Sequence, residues 1–131
     1  METPMIFGIG TDIIEIGRVQ RAVEKWGASF TDRVFCPGEI EYALGKGSFY
    51  YATLAGRFAA KEAVLKSIGT GLAGGRWRDI EISVEPRTSR PVVVLKGEVL
   101  RKADEQQVAR IYISISHCRE YAVAFSTAER G

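Results

Sequence analysis

Phe49-Tyr50-Tyr51-Ala52-Thr53-Leu54-Ala55-Gly56-Arg57-Phe58-Ala59-Ala60-Lys61-Glu62-Ala63-Val64-Leu65-Lys66-Ser67-Ile68 is the longest helical stretch in the chain. Ser48 precedes it where an N-cap belongs, and Gly69 follows where a terminator belongs. With Phe58 at zero and a turn of about 100° per residue, Leu54 falls at about −40°, Leu65 at about −20° and Glu62 at about +40°. Glu62 therefore sits in the apolar stripe, where a carboxylate is expensive unless paired or bound to a cation. Two readings stand. Glu62 pairs with Lys66 at i, i+4 in the favourable order, or it is a functional carboxylate.

Upstream, Met5 to Ile16 reads as a buried strand rich in isoleucine, with Gly8 and Gly10 allowing close backbone approach. Asp12 interrupts it. Either it caps the following turn or helix, or it holds donors or a cation. Two misplaced acids beside a lysine suit a hard divalent cation, since magnesium takes one or two carboxylates and fills its shell with water and phosphate oxygens. From Gly17 to Trp26 the period changes: Val19, Ala22, Val23 and Trp26 mark an amphipathic helix closed by Gly27. Beside that stripe, Arg18, Arg21 and Lys25 form a basic one, either a solvated face partly offset by Glu24 or a docking surface. Phe30 to Phe35 is ambiguous, and Pro37 opens a short helix through Leu44.

Downstream, Gly69 to Gly75 is a glycine-rich loop. Asp79 to Glu85 and Pro91 to Lys96 are strands joined through Thr88-Ser89-Arg90, and Gly97 to Val108 is helical. Ile111 to Ser116 and Tyr121 to Thr127 form a hairpin. The order predicts a single α+β domain over residues 1–131, a largely antiparallel sheet packed on a long central helix.

At 131 residues, 46% apolar and 26% charged, the composition is that of an ordinary globular protein and excludes disorder and a disulfide-stapled miniature. A net charge of +2 gives no global field for nucleic acid. No apolar run is long enough to span a membrane, and Met1 to Met5 lacks the pattern of a signal peptide, so a cytoplasmic location is expected. Cys36 and Cys118 belong to no C-x-x-C pair, which argues against zinc and for free thiols in a reducing compartment.

Gly69-Thr70-Gly71-Leu72-Ala73-Gly74 satisfies G-x-G-x-x-G, but it follows a helix and not a strand, so the dinucleotide fingerprint is rejected. His117 closes a strand in Ser114-Ile115-Ser116-His117-Cys118. It is either incidental or functional, and a Cys–His nucleophile is disfavoured because strand neighbours point to opposite faces.

Three blocks then make a set: Gly8-Ile9-Gly10-Thr11-Asp12-Ile13 with Glu15 and Arg18; Gly56-Arg57-Phe58-Ala59-Ala60-Lys61-Glu62-Ala63 through Lys66 to Gly69-Thr70-Gly71; and Ser114-Ile115-Ser116-His117 with Tyr121-Ala122. Together they closely resemble the stand-alone holo-[acyl-carrier-protein] synthases of the 4′-phosphopantetheinyl transferase superfamily. The resemblance implies transfer of 4′-phosphopantetheine from coenzyme A to a serine of apo acyl carrier protein, in support of fatty acid biosynthesis. Asp12 and Glu62 would hold Mg²⁺, with Glu62 the base for the serine proton. Lys66, His117, Arg57, Gly69 and Thr70 would bind the donor, and Arg18, Arg21 and Lys25 the acidic carrier. A homotrimer with sites between subunits is implied too, and the apolar Ile111, Ile113, Ile115, Val123 and Phe125 either cover such contacts or fill the core of the single chain. Thr88-Ser89-Arg90 departs from the family, which often has glycine then lysine before this proline, and so does Ser116, where some relatives carry threonine. Two other classes compete: a module that binds a phosphorylated ligand without chemistry, and an inactive paralogue that docks on a carrier.

Overall fold

The structure, a computed structural model, describes residues 3–131; Met1 and Glu2, the start of both the expected domain and the stretch read for a signal peptide, lie outside the described residues. In chain order the elements are β1 (Met5–Glu15), α1 (Ile16–Trp26), α2 (Ala28–Val34), α3 (Pro37–Leu44), α4 (Tyr50–Ile68), β2 (Ile80–Val84), β3 (Pro91–Leu95), α5 (Gly97–Glu105), β4 (Val108–His117) and β5 (Tyr121–Arg130). Strands β1, β5 and β4 form one antiparallel sheet in that order, and β2 and β3 form a hairpin. The α+β expectation with a central helix holds.

Helix α4 lies across the sheet at a distance only glycine permits. A Cβ at Gly8 would sit 2.0 Å from the Ser67 carbonyl oxygen, and one at Gly10 would sit 2.1 Å from that of Ala63. Opposite them, β5 turns Ala122, Ala124, Ser126 and Ala128 towards the helix, all buried. The hydroxyls of Ser67 and Ser126 meet at 2.9 Å, satisfying each other in an otherwise apolar interface. The helix ends as expected at Gly69, which takes a left-handed conformation with φ 83°.

Between Ala52 and Ile68 every residue of α4 is buried except Phe58, Glu62 and Lys66. The helix is therefore wrapped on nearly all sides, and one line at i, i+4, i+8 reaches the surface with an acid and a lysine on it.

Three expectations are corrected. Ser48 caps nothing: a tight helical turn, Gly47–Phe49, leads into α4, whose N-cap is Phe49 without a side-chain bond. Helix α5 stops at Glu105 because Gln107, at φ 61°, leaves the helical region. Ile111, Ile113 and Ile115 pack inward against the core and leave the outer face of the sheet to Ile9 and Ile13 of β1, Tyr112 of β4 and Phe125 of β5, each more than half exposed. Phe125 keeps its expected place, and Val123 lies between Ile13 and Ser116 in the same outward set. The ambiguous segment from Phe30 becomes α2.

Candidate active site

Asp12 shares the inward parity of Gly8 and Gly10, so its carboxylate turns towards α4 instead of solvent. It does not cap α1, whose N-cap position is Glu15 with no side-chain bond. Lys66 reaches across from α4, donating to Asp12 Oδ1 at 3.2 Å and to the Thr11 carbonyl at 2.9 Å. That contact replaces the i, i+4 pair with Glu62, which has no ion-pair partner among the described residues. Asp12 and Glu62 line one cavity of about 380 Å³ with Arg18, between apolar walls of Ile14, Val19, Phe30 and Phe58. Burial raises the Glu62 pKa first, the Asp12 charge adds to it, and Lys66 works against both. Two acids face one space, Lys66 pairs only with Asp12, and Arg18 makes no ion pair with either among the described residues, so the Glu62 oxygens remain unpaired.

A second cavity of about 310 Å³ opens beside β4, lined by Tyr42, Lys46, Phe49, Thr53, Arg57, Ser89 and His117. No acid lines it. Arg57 is 8% exposed, its Nε has no partner, and its guanidinium stands 4.3 Å over the Tyr42 ring. A buried guanidinium without a carboxylate is costly unless the space before it receives an anion. The His117 ring lies 5.6 Å from that of Phe49 at the mouth. Ser89 takes φ 60°, a conformation suited to glycine, which is the physical sense of the departure in this turn.

The remaining candidates divide. Gly69 is exposed at the end of α4, and Thr70 follows with its Oγ1 buried and unpartnered. On α1, Arg18 joins the acid-lined cavity while Arg21 lies back over Gly17 and Lys25 over the Trp26 ring at 5.0 Å. Glu24 accepts from Gln20 instead of offsetting the arginines.

The sequence reading missed a buried pair. Lys61 Nζ lies 2.8 Å from Glu39 Oε1 with both side chains at 0% exposure, and it also donates to the carbonyls of Trp77 and Ile80. Glu39 accepts from the backbone N–H groups of Cys36 at 2.7 Å and Ile82 at 2.8 Å, which locks α3 to α4 and β2. A lysine among Ala59, Ala60 and Ala63 was the available signal, since such a lysine must find an acid.

The family model for the 4′-phosphopantetheinyl transferase superfamily matches residues 8–126. A holo-[acyl-carrier-protein] synthase of Halothermothrix orenii is 42% identical over 127 residues, covering 97% of this chain and 100% of that one. The chain belongs to this transferase superfamily, among the holo-[acyl-carrier-protein] synthases. Solved members share its architecture. The holo-ACP synthase of Plasmodium yoelii superposes with a TM-score of 0.85 at 30% identity, covering 99% of both chains. That of Bacillus anthracis, in complex with CoA (3′,5′-ADP), gives 0.77 at 36% identity and covers 97% of this chain and 99% of that one. In this transferase the three blocks fall on β1, α4 and β4, and all three meet at the inner face of the sheet. Among the described residues no helix is long and apolar enough to cross a membrane.

Proposed function

We propose that residues 1–131 form one domain that transfers 4′-phosphopantetheine from coenzyme A to a serine of apo acyl carrier protein, supplying carriers for fatty acid biosynthesis. The observation that carries this reading is the pairing of an acid-lined cavity at Asp12 and Glu62 with one lined by the cations Lys46 and Arg57 and by His117. Displacement at phosphorus in a polyanionic donor is served by both kinds of site, one to hold a metal ion and one to neutralise phosphate oxygens.

The donor set of the first cavity fits Mg²⁺: two carboxylates, no third acid, histidine or cysteine grouped with them among the described residues, and room for water and phosphate oxygens. Bound there, the ion would draw charge from the pyrophosphate oxygens. Asp12 and Glu62 would hold it, and Lys66 would swing from Asp12 to the phosphates. The carrier serine oxygen attacks the phosphorus next to pantetheine, the new P–O bond forms, and the bond to the nucleotide side breaks. Adenosine 3′,5′-bisphosphate leaves. Glu62 is the proposed acceptor of the serine proton. Arg57 and His117 bind the donor's anionic end, Gly69 and Thr70, which line neither cavity, meet another part of the donor, and Arg18, Arg21 and Lys25 meet the acidic carrier.

Asp12 and His117 stand on the two edge strands with α4 between them, in separate cavities. A ring of three copies, each setting its β1 edge against the next copy's β4 edge, would complete every site and cover Ile9, Ile13, Tyr112 and Phe125. One free thiol is buried at Cys36 and the other exposed at Cys118, which suits the cytoplasm.

The test is the mass of an apo carrier protein incubated with the enzyme, coenzyme A and Mg²⁺. A gain of one phosphopantetheine group, lost with a chelator, is expected; no gain across several carriers would leave a binding module. Glu62→Gln, without turnover, and Arg57→Ala, weak in donor binding, should when mixed exceed the summed activity of the two alone at low coenzyme A if neighbouring copies share the site.

A further inference from the structure

We propose that Tyr42 is a positioning residue, its ring holding the Arg57 and Lys46 cations ready for the anionic donor; this rests on the coenzyme A reading above. The Arg57 guanidinium is 8% exposed in a cavity that no acid among the described residues lines; burial pulls its pKa down, and Glu39 reaches it only as a distant charge. Its nearest compensation is the Tyr42 ring at 4.3 Å. Lys46 Nζ stands 4.6 Å from the centre of the same ring. Two cations that repel each other are thus both held against one aromatic ring, in the place where phosphate oxygens would otherwise have to collect them.

The ring is itself fixed. Tyr42 lies three residues after Glu39 on α3, one turn on, and Glu39 is anchored to Lys61, Cys36 and Ile82. Burial alone would raise the Tyr42 phenol, yet Lys46, through hydrogen bonding and charge, and Arg57, through charge and hydrogen bonding, outweigh it at the phenol oxygen and hold the pKa below its ordinary value, so both cations lie close to this side chain's hydroxyl as well as to its ring. Cations already ordered by folding need not be ordered again on binding, so the ring acts on donor affinity and leaves the chemical step alone.

The experiment measures calorimetric binding of adenosine 3′,5′-bisphosphate, together with KM for coenzyme A, KM for carrier and kcat. Tyr42→Leu is expected to weaken bisphosphate binding and raise the coenzyme A KM by about tenfold, with kcat and the carrier KM within about twofold. Tyr42→Phe keeps the ring and should restore binding to within about threefold of wild type. Should Tyr42→Leu fold poorly, phenylalanines of increasing fluorination at position 42 keep the shape while draining the π charge. Affinity is then expected to fall step by step, which a merely structural ring would not produce. A flat fluorination series, or wild-type binding in Tyr42→Leu while Arg57→Ala binds weakly, overturns the positioning role and leaves the coenzyme A reading intact. Wild-type enzyme that neither binds the bisphosphate nor modifies a carrier overturns that reading, and the positioning role with it.

Discussion

The two cavities flanking α4 are built by opposite rules. Beside β1, Asp12 and Glu62 crowd two like charges together with Lys66 as partial relief. Beside β4, Arg57 is sunk without any acid and leans on an aromatic ring. Glu62 and Arg57 are five residues apart on one helix, which turns them about 140° from each other. A single rigid element therefore presents an acid to one space and a guanidinium to another. Each space lacks the charge it would need to be satisfied alone, and that lack marks both as binding sites more clearly than any one residue does.

The hardest blow to this contrast falls on the acid side. Asp12→Ala or Glu62→Ala is expected to cut turnover on the order of 10³-fold, read as carrier modification over a magnesium titration. The fold should survive, since removing a carboxylate from apolar surroundings is neutral or stabilising. Near-normal turnover at any magnesium concentration would remove both acids from the metal site.

Next comes the buried Lys61–Glu39 pair beneath the cationic side. Glu39→Gln leaves Lys61 charged and short of its acid, at a cost of about 3 kcal/mol or more, read from denaturant unfolding. Replacing both by apolar residues should cost less than either single change. If the single change were harmless, α3 would owe its place to something other than this pair.

Arg57→Ala is expected to weaken adenosine 3′,5′-bisphosphate binding on the order of thirtyfold by calorimetry and to leave any magnesium-dependent rise in melting temperature unchanged. An equal loss of the magnesium effect would mean that the two cavities are one site within a single chain.

Acidity sharpens the contrast further. The Glu62 pKa is raised by burial and then by Asp12, so the folded state keeps its proton above pH 4.5 where the unfolded chain has lost it. Its contribution to stability is complete below pH 4.5 and falls as pH rises through the raised value. In chelator, wild type should therefore lose melting temperature relative to Glu62→Gln between pH 4.5 and neutrality, and Mg²⁺ should reverse the loss. No difference between the two proteins would remove the coupling between the acids.

The smallest effect belongs to the exposed helix. Arg18→Glu with Arg21→Glu should raise the carrier KM about fivefold and flatten its salt dependence, because rim charges act mainly on encounter. The coenzyme A KM should not move with Arg21, which lines neither cavity. An unchanged salt slope would place the carrier elsewhere.

Elements and their order could be read along the chain because each rests on neighbours in sequence: alternation in β1 and β5, Pro37 opening α3, Gly69 closing α4. Asp12 and Glu62 were legible for the same reason, since an acid inside an apolar pattern is a local anomaly. What no local pattern could decide was parity and partnership. Alternation in β4 marks the isoleucine face as apolar, but only the sheet's contact with α4 decided that Ile111, Ile113 and Ile115 fill this chain's own core and not a contact between copies. The exchange of Glu62 for Asp12 as the partner of Lys66 depends on residues 54 apart meeting across a glycine-lined interface. Tyr42 under Arg57 and Glu39 against Lys61 join α3 to α4 in the same way. Charges choose partners by distance in space, and that distance is set only once the helix has seated on the sheet.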